Sequence, residues 1–255
     1  MDFADYVKNI SFRFLRTGRP RPKGFRALNM LLRNIGIHLE VLNTRLPCNE
    51  GTMRHRLRDA CKIPRMSTFA VGAIINEAVS QMPDGQAYVN VGVWNGFTFF
   101  SGLAGNSGQR CTGIDNFSHK NSPREAFLER FERFRGVGHA FHEMDYRDYF
   151  AQVHEGPIGF YLFDGPHAYQ DQLDGLKLAE PFFAENCVIM VDDTNWEDVR
   201  RANFDFIVGS PNQYEVLLDV LTPKSGHPTF WNGEMVVRMV GPNKLSQHGS
   251  QRAAA

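Results

Sequence analysis

The sequence predicts an α/β fold with a doubly wound, mainly parallel sheet that ends in an antiparallel C-terminal hairpin. Short apolar runs alternate with helical patterns over residues 87–208, and this alternation is typical of strand–helix units. The runs are apolar nearly throughout, as expected for parallel strands that helices cover on both faces. Two further runs near the C-terminus are joined by a loop alone, so we expect them to pair antiparallel.

The predicted elements follow one another in a regular order. The segment "MSTFAVGAIINEAVSQM" is a helix because its large apolar side chains recur on one stripe, and "PDG" ends it. The five parallel strands are "AYVNVGV", "RCTGIDNF", "HAFHEMDY", "IGFYLFDG" and "NCVIMVDD". The helices that cover them are "NGFTFFSGLAG", "SPREAFLERFERFR", "AYQDQLDGLKLAEPFF" and "NWEDVRRANFDFIV". The terminal hairpin consists of "YEVLLDVL" and "EMVVRMV".

The chain length and the breaks in the pattern predict one main domain over residues 66–240. A helical, basic N-terminal appendage over residues 1–65 precedes it, and a disordered tail over residues 241–255 follows. The appendage carries a run of basic residues without an acid: Lys8, Arg13, Arg16, Arg19, Arg21, Lys23, Arg26 and Arg33. This run is either a solvated basic face or a contact for anionic lipid or for a partner subunit, which would make the protein a homo-oligomer.

Composition excludes several function classes. Basic and acidic residues balance at 28 each, so no overall charge favours nucleic acid. The four cysteines show no metal-ligand spacing, which favours a reduced, intracellular protein. No run approaches the ~18 apolar residues of a transmembrane segment, and the N-terminus lacks the pattern of a signal peptide. We therefore expect a soluble, cytoplasmic protein without a transmembrane segment.

Polar residues at the carboxyl ends of the predicted strands mark the expected ligand crevice, because ligands of such sheets bind there. They are Asn90, Gly92, Asp115, Asp145, Asp164, Asp192 and Asp193. An acid in such a place can also cap the helix that follows. Capping alone explains less well why acids follow four consecutive strands.

The first strand-to-helix turn, "VNVGVWNGFT", favours a nucleoside ligand without a diphosphate. In a dinucleotide fingerprint the second glycine lets the backbone approach a pyrophosphate, whereas here Trp94 occupies that position. Gly92 and Gly96 still allow a tight turn. Asp115 lies 23 residues after Gly92, near the ~20 expected for an acid that binds a ribose hydroxyl. These features indicate S-adenosylmethionine rather than NAD.

The segments "VNVGVWNGFT", "GIDNF", "FDGPHAYQDQLDGL" and "VIMVDD" together resemble the class I S-adenosylmethionine-dependent methyltransferases. More narrowly, they resemble the macrocin-type, metal-dependent sugar O-methyltransferases, over residues 67–240. The resemblance implies a Rossmann-like methyltransferase fold, with Asp115 at the ribose and Asp145 near the adenine. Asn90 stands where such enzymes usually have an acid, and Trp94 where many have a glycine. The implied cofactor-binding residues are Asn90, Gly92, Val93, Trp94, Gly96, Asp115 and Asp145.

The second half of the sheet carries a candidate metal centre. Asp164 ends one strand, and Asp192 and Asp193 end the next. Neighbouring strands lie about 4.8 Å apart, so these carboxylates should converge and repel one another unless a cation joins them. Their oxygen ligands suit Mg2+ or another divalent cation. In the resembled family these acids bind the metal, and the histidine three residues after the first acid, here His167, is the general base.

The expected function is transfer of a methyl group from S-adenosylmethionine to a hydroxyl of a small molecule, a sugar or glycosylated metabolite. The metal would orient the hydroxyl and lower its pKa, and His167 would take its proton. Alternatives are a phenol or amine acceptor, or a non-catalytic scaffold that binds the cofactor. For single residues the alternatives are a turn histidine facing solvent for His167 and helix capping for the acid pair. Trp196 and Trp231 could face the acceptor, or could serve ordinary packing.

Overall fold

The computed structural model describes residues 1–119 and 122–242. From residue 243 onward, the tail that was predicted to be disordered lies outside the described residues. Residues 241 and 242 belong to the last strand of the sheet.

Short helices and a small antiparallel ladder precede the main sheet. In chain order they are α1 (Phe3–Lys8), β1 (Ser11–Phe12), α2 (Phe25–Asn34), α3 (Leu39–Asn43), β2 (Thr44–Arg45) and α4 (Glu50–Arg56). β1 pairs antiparallel with β2. Phe3 and Val7 of α1 are buried in the same apolar core as helix α5 (Phe69–Gln81), so this end of the chain packs on the body of the molecule.

A seven-stranded sheet forms the centre of the molecule. Its strands are β3 (Ala87–Val91), β4 (Arg110–Ile114), β5 (His139–His142), β6 (Ile158–Phe163), β7 (Phe183–Asp192), β8 (Asn212–Val220) and β9 (Glu234–Pro242). They lie in the order β5-β4-β3-β6-β7-β9-β8. The first five are parallel, and β9 runs antiparallel to both β7 and β8. The predicted parallel sheet and its terminal hairpin are confirmed.

Helices cover both faces of the sheet. They are α6 (Phe97–Leu103), α7 (Arg124–Phe134), α8 (Tyr146–Gln152), α9 (Tyr169–Ala179) and α10 (Glu197–Gly209). Because side chains alternate along a strand, Tyr88 of β3 enters the core with α5, α6 and α7, whereas Val89 enters the core with α8, α9 and α10. Each parallel strand therefore needs apolar residues at successive positions, which explains the continuous runs in the sequence.

Helix α8 was not among the predicted elements. The segment "HAFHEMDY" reads as one strand, but β5 ends at His142 and α8 begins at Tyr146. A short helix here carries the chain over the sheet face between two parallel strands, as a crossover connection requires. Among the described residues, no helix combines the length and apolar character that crossing a membrane requires.

Candidate functional site

A cavity of about 640 Å³ opens at the carboxyl ends of the parallel strands. It lies where the strand order reverses, with β4 and β5 on one side of β3 and β6 and β7 on the other. This is the place where open α/β sheets bind their ligands. All three tryptophans of the chain, Trp94, Trp196 and Trp231, line the cavity.

The turn after β3 forms one wall of the cavity and depends on backbone that favours glycine. Gly92 has φ +79°, and a Cβ built on it would lie 1.9 Å from the carbonyl oxygen of Asp164. Gly96 has φ +96°, and a Cβ there would overlap the ring of Phe100. Trp94 also lies in the left-handed region, at φ +44°. The turn is therefore closed against the end of β6 and leaves no room for side chains at either glycine.

Asp115, at the end of β4, is fixed by backbone donors. Its Oδ2 accepts a hydrogen bond from the Trp94 amide at 2.9 Å, and its Oδ1 accepts one from the Phe117 amide at 2.7 Å. Each carboxylate oxygen keeps a free lone pair for a further donor such as a hydroxyl. The first two strand ends are thus joined through one carboxylate that lines the cavity.

Asp145 lies on the cavity wall and also caps a helix. Its Oδ1 accepts a hydrogen bond from the Arg147 amide at 2.8 Å, which makes it the N-cap of α8. Its Oδ2 accepts one from Asn116 Nδ2 at 3.4 Å. Asp145 therefore caps a helix, which was one of the two roles that the sequence left open for such acids. That Asp145 lies near the adenine of a cofactor stays a prediction.

The structure brings Gly92, Val93, Trp94, Asp115 and Asp145 to the cavity. Two other predicted cofactor residues, Asn90 and Gly96, are not in its lining. Asn90 is fully buried and accepts a hydrogen bond from the Tyr88 hydroxyl at 3.1 Å. Its amide donates to the Val91 carbonyl at 3.2 Å, so its polar atoms serve the strand end behind the cavity.

Three side chains across the cavity could hold a metal ion. Asp164, His167 and Asp193 each offer a ligand atom, and these atoms lie within 4.8 Å of one another. His167 Nε2 is 3.2 Å from Asp193 Oδ2. Asn232 Nδ2 donates to Asp193 Oδ1 at 2.7 Å. Asp192 lines the same cavity but lies outside this group, and its Oδ1 accepts a hydrogen bond from the Asp193 amide at 2.7 Å.

The charged forms of Asp164 and Asp192 are disfavoured at this side of the cavity. Burial, then the charges of Asp192 and Asp193, raises the pKa of Asp164 well above its ordinary value. Burial, then the charge of Asp193, does the same to the pKa of Asp192. For His167, burial lowers the pKa, and the carboxylate of Asp193 opposes that shift. A cation at this point would remove the repulsion among the acids.

Trp196 packs against His167, and hydrogen bonds fix two further residues near the cavity, Asn195 and His227. The His167 ring meets the Trp196 ring edge-on, with centroids 4.4 Å apart. Asn195 donates to Thr222 and Asn232 rather than facing the cavity. His227 is fully buried, and its ring bonds Thr229 and the Arg19 carbonyl. These contacts assign Asn195 and His227 to packing.

The sequence analysis did not predict Arg65 and Ser67 as cavity residues, although both lie near the predicted domain boundary and line the cavity. The Arg65 guanidinium lies over the Phe97 ring, 4.9 Å from its centroid. Arg65 Nε and Ser67 Oγ are buried without a hydrogen-bond partner in the part of the chain that the structure describes. A buried, unpaired polar atom becomes visible only in three dimensions, so no sequence signal was available for either residue.

Comparisons with known proteins give a domain match and several similar folds. Residues 89–194 match the family model described as "Methyltransferase domain". No curated protein matches the chain. Cofactor-bound Rv0187 from MTB is similar in fold, with 14% identity, 88% of this chain and 99% of that chain covered, and a TM-score of 0.56.

Two O-methyltransferase structures are similar as well. The Bacillus cereus enzyme in complex with SAH has 14% identity, 84% and 97% coverage of this chain and that chain, and a TM-score of 0.52. TomG from Streptomyces achromogenes in complex with SAM has 12% identity, 87% and 100% coverage, and a TM-score of 0.51. The chain therefore has the Rossmann-like methyltransferase fold, and the segment that matches the methyltransferase domain, residues 89–194, contains every predicted site residue.

Proposed function

We propose that this protein transfers a methyl group from S-adenosylmethionine to a hydroxyl of a sugar or glycosylated metabolite. The observation that carries the proposal is the group of Asp164, His167 and Asp193, which faces the same cavity as the glycine turn after β3. The match to a methyltransferase domain supports the methyl transfer. The O-methyltransferase structures with bound SAH and SAM support the cofactor.

The residues around the first turn fit the cofactor. Gly92, Val93 and Trp94 would hold its methionine part, Asp115 would accept from the ribose hydroxyls, and Asp145 would lie near the adenine. The cavity of about 640 Å³ is in the usual range for a ligand of this size. The cofactor supplies a methyl group that is already activated on a sulfonium. The task of these residues is therefore orientation, which can contribute much of the rate acceleration.

The donor set across the cavity fits a hard divalent cation. Asp164 and Asp193 would hold it, and Asp192 completes the predicted set of acids. Carboxylate oxygens are the ligands that Mg2+ prefers. Burial, and then neighbouring carboxylates that include Asp193, raises the pKa of both Asp164 and Asp192, so a cation would favour their charged forms. When bound, the cation supplies Lewis acidity that lowers the pKa of an acceptor hydroxyl and fixes its position.

His167 is the proposed general base. Its lowered pKa keeps the imidazole neutral near pH 7, so a ring nitrogen can accept the hydroxyl proton. Asp193 at 3.2 Å and the edge contact with Trp196 fix the ring orientation. A histidine held in one orientation by a carboxylate is a recurring arrangement for proton transfer.

The three tryptophans of the cavity support a ring-shaped acceptor. Trp94, Trp196 and Trp231 line the same cavity, and flat aromatic side chains offer large, rigid contact area with a polar edge. A sugar ring suits such walls. An acceptor screen that instead yields only phenols or amines would assign the alternative acceptor class.

The first test is a calorimetric titration with S-adenosylhomocysteine, with and without Mg2+. We expect micromolar binding in both conditions, because the turn after β3 is formed without a metal. Binding without turnover on any hydroxyl acceptor would favour the non-catalytic scaffold. Absence of binding in both conditions would contradict the proposed cofactor and would point to Trp94 in the glycine turn.

The state of the cysteines indicates the redox conditions of the compartment in which the protein works. All four are free thiols, and three of them are buried. Unpaired cysteines are usual in reducing compartments, which supports our proposal of a cytoplasmic protein.

We also propose that helix α2 makes a subunit contact. Leu28, Leu31 and Ile35 follow one another at helical spacing and are exposed by 50%, 63% and 68%. We expect the wild-type protein to be a dimer in light scattering and the double variant Leu31→Asn/Ile35→Asn to be a monomer. Val208→Asn, an equally polar change at an exposed residue of α10, is the control and should leave the mass unchanged. A monomeric wild type would contradict the contact, and binding to anionic vesicles would then assign this face to lipid.

A further inference from the structure

Glu234 is a buried carboxyl group that the proposed mechanism has not used. It is the first residue of β9, and in the antiparallel pair it lies opposite Asp192 of β7. Its side chain has 0% exposure. Neither of its carboxylate oxygens has a hydrogen-bond partner among the described residues. Buried polar groups in proteins are almost always paired, so two unpaired oxygens on one side chain need an explanation.

The surroundings of Glu234 contain acids rather than bases. Burial, then the charges of Asp192, Asp164 and Asp193, raises its pKa well above the ordinary value. In the part of the chain that the structure describes, no lysine, arginine or histidine forms an ion pair with it. A purely structural glutamate would be expected to have a basic or amide partner, since an unpaired buried charge is strongly destabilising.

The backbone before Glu234 is anchored at the same acidic group. Asn232 donates to Asp193. Gly233 has φ +89°, and a Cβ on it would lie 2.7 Å from Asn195 Oδ1. The tight junction between this segment and the end of β7 fixes the start of β9 beside Asp192. These contacts leave the backbone of Glu234 little freedom to move away from Asp192.

We propose that Glu234 is a fourth acidic residue of the cation centre and that tight binding of a divalent cation requires it. This inference rests on the proposed function, in which Asp164 and Asp193 hold the cation. The two unpaired oxygens lie behind the cavity at the position paired with Asp192, where the negative charge of the ionised carboxylate would add to the attraction of the acidic group for a cation. Residues behind the direct ligands commonly orient and retain a metal in this way. Glu234 would therefore be a positioning residue that acts on the cation and on Asp192.

The test is Mg2+ binding to the full-length protein, measured by calorimetry on wild type and on Glu234→Gln. Glutamine keeps the shape of the side chain and removes its negative charge. We expect the affinity for Mg2+ to fall about 10- to 100-fold, as for other residues that support metal ligands. We also expect the Mg2+-dependent rise in the unfolding midpoint to be lost. In EDTA the variant should be at least as stable as wild type, because an unpaired acidic group has been removed.

Two further variants make the outcome decisive. Glu234→Met removes both the charge and the acceptor oxygens in a side chain of similar length, and it should show the same loss of Mg2+ affinity. Glu185→Gln, at an exposed position at the other end of β7, is the matched control and should bind Mg2+ like wild type. Unchanged Mg2+ affinity in both Glu234 variants would overturn the inference.

The experiment separates this inference from the proposed function. A wild type that binds S-adenosylhomocysteine but not Mg2+ would overturn both the cation centre and the role of Glu234, while the cofactor site would stand. If wild type binds Mg2+ and the Glu234 variants bind it equally tightly, only the role of Glu234 would be overturned. The variants should bind S-adenosylhomocysteine like wild type, since Glu234 does not line the cavity.

Discussion

Replacing His167 with alanine should lower the turnover number about 10²-fold or more and leave the affinity for S-adenosylhomocysteine close to that of wild type. General-base catalysis contributes roughly 10²- to 10⁴-fold, and the alanine side chain cannot accept the hydroxyl proton. The residue lies beside Asp193 rather than beside the glycine turn, so the cofactor contacts should persist. Steady-state kinetics with the best acceptor and calorimetry with S-adenosylhomocysteine measure the two quantities.

A second histidine of the cavity is the matched control for this variant. His119 lines the same cavity but is outside the group of Asp164, His167 and Asp193. His119→Ala should change the turnover number much less than His167→Ala. Equal turnover in wild type and His167→Ala would remove this residue as the base and would leave it a packing role beside Trp196 and Asp193.

Neutralising the acids should weaken the response to Mg2+. In Asp164→Asn and in Asp192→Asn, we expect the Mg2+ concentration for half-maximal activity to rise about 10- to 100-fold or more, because even residues that only support metal ligands have effects of this size. EDTA should abolish the activity of wild type, and Mg2+ should restore it. Burial and like charges raise the pKa of both acids, so each variant should be at least as stable as wild type in EDTA.

The combination of undiminished stability and weaker Mg2+ response distinguishes a metal centre from helix capping. A lost cap would lower stability by about 1 kcal/mol and would not change metal dependence. Asp148→Asn, at an exposed position on α8, is the control for the loss of a single acid. If neither Asp164→Asn nor Asp192→Asn changes the Mg2+ dependence, the proposed metal centre is wrong. Activity that persists in EDTA would favour methyl transfer to a phenol or an amine.

The fold was predictable because the central parallel strands β3 and β6 are buried on both faces. Tyr88 and Val89 enter different cores, and this requirement leaves a continuous apolar run that a periodicity argument detects. Helix α8 escaped detection because its seven residues are too few to show a helical stripe. Asp145, read as the end of a strand, is the cap of that helix.

The sequence predicted which site residues lie near one another only where those residues follow the carboxyl end of a strand. Carboxyl ends of neighbouring parallel strands meet at one edge of a sheet, so the approach of Asp164 to Asp193 follows from topology. Topology does not determine which way each side chain points. Asn90, for example, points away from the cavity and forms hydrogen bonds with Tyr88 and the Val91 carbonyl. Asp192 likewise lies outside the group of Asp164, His167 and Asp193. Glu234 is the first residue of the antiparallel strand β9, so the amino end of this strand lies beside Asp192 at the carboxyl end of β7. A search of strand carboxyl ends therefore missed it.

The contact between Gly92 and Asp164 has a consequence for regiochemistry. A Cβ at Gly92 would lie 1.9 Å from the Asp164 carbonyl oxygen, and the Asp164 amide donates to the Val91 carbonyl at 3.0 Å. The main chain itself thus sets the distance between the turn assigned to the methyl donor and the first acid assigned to the acceptor side. Under the proposed function, the point of methylation would be fixed in space, and the tryptophans that line the cavity would determine which hydroxyl of an acceptor reaches it.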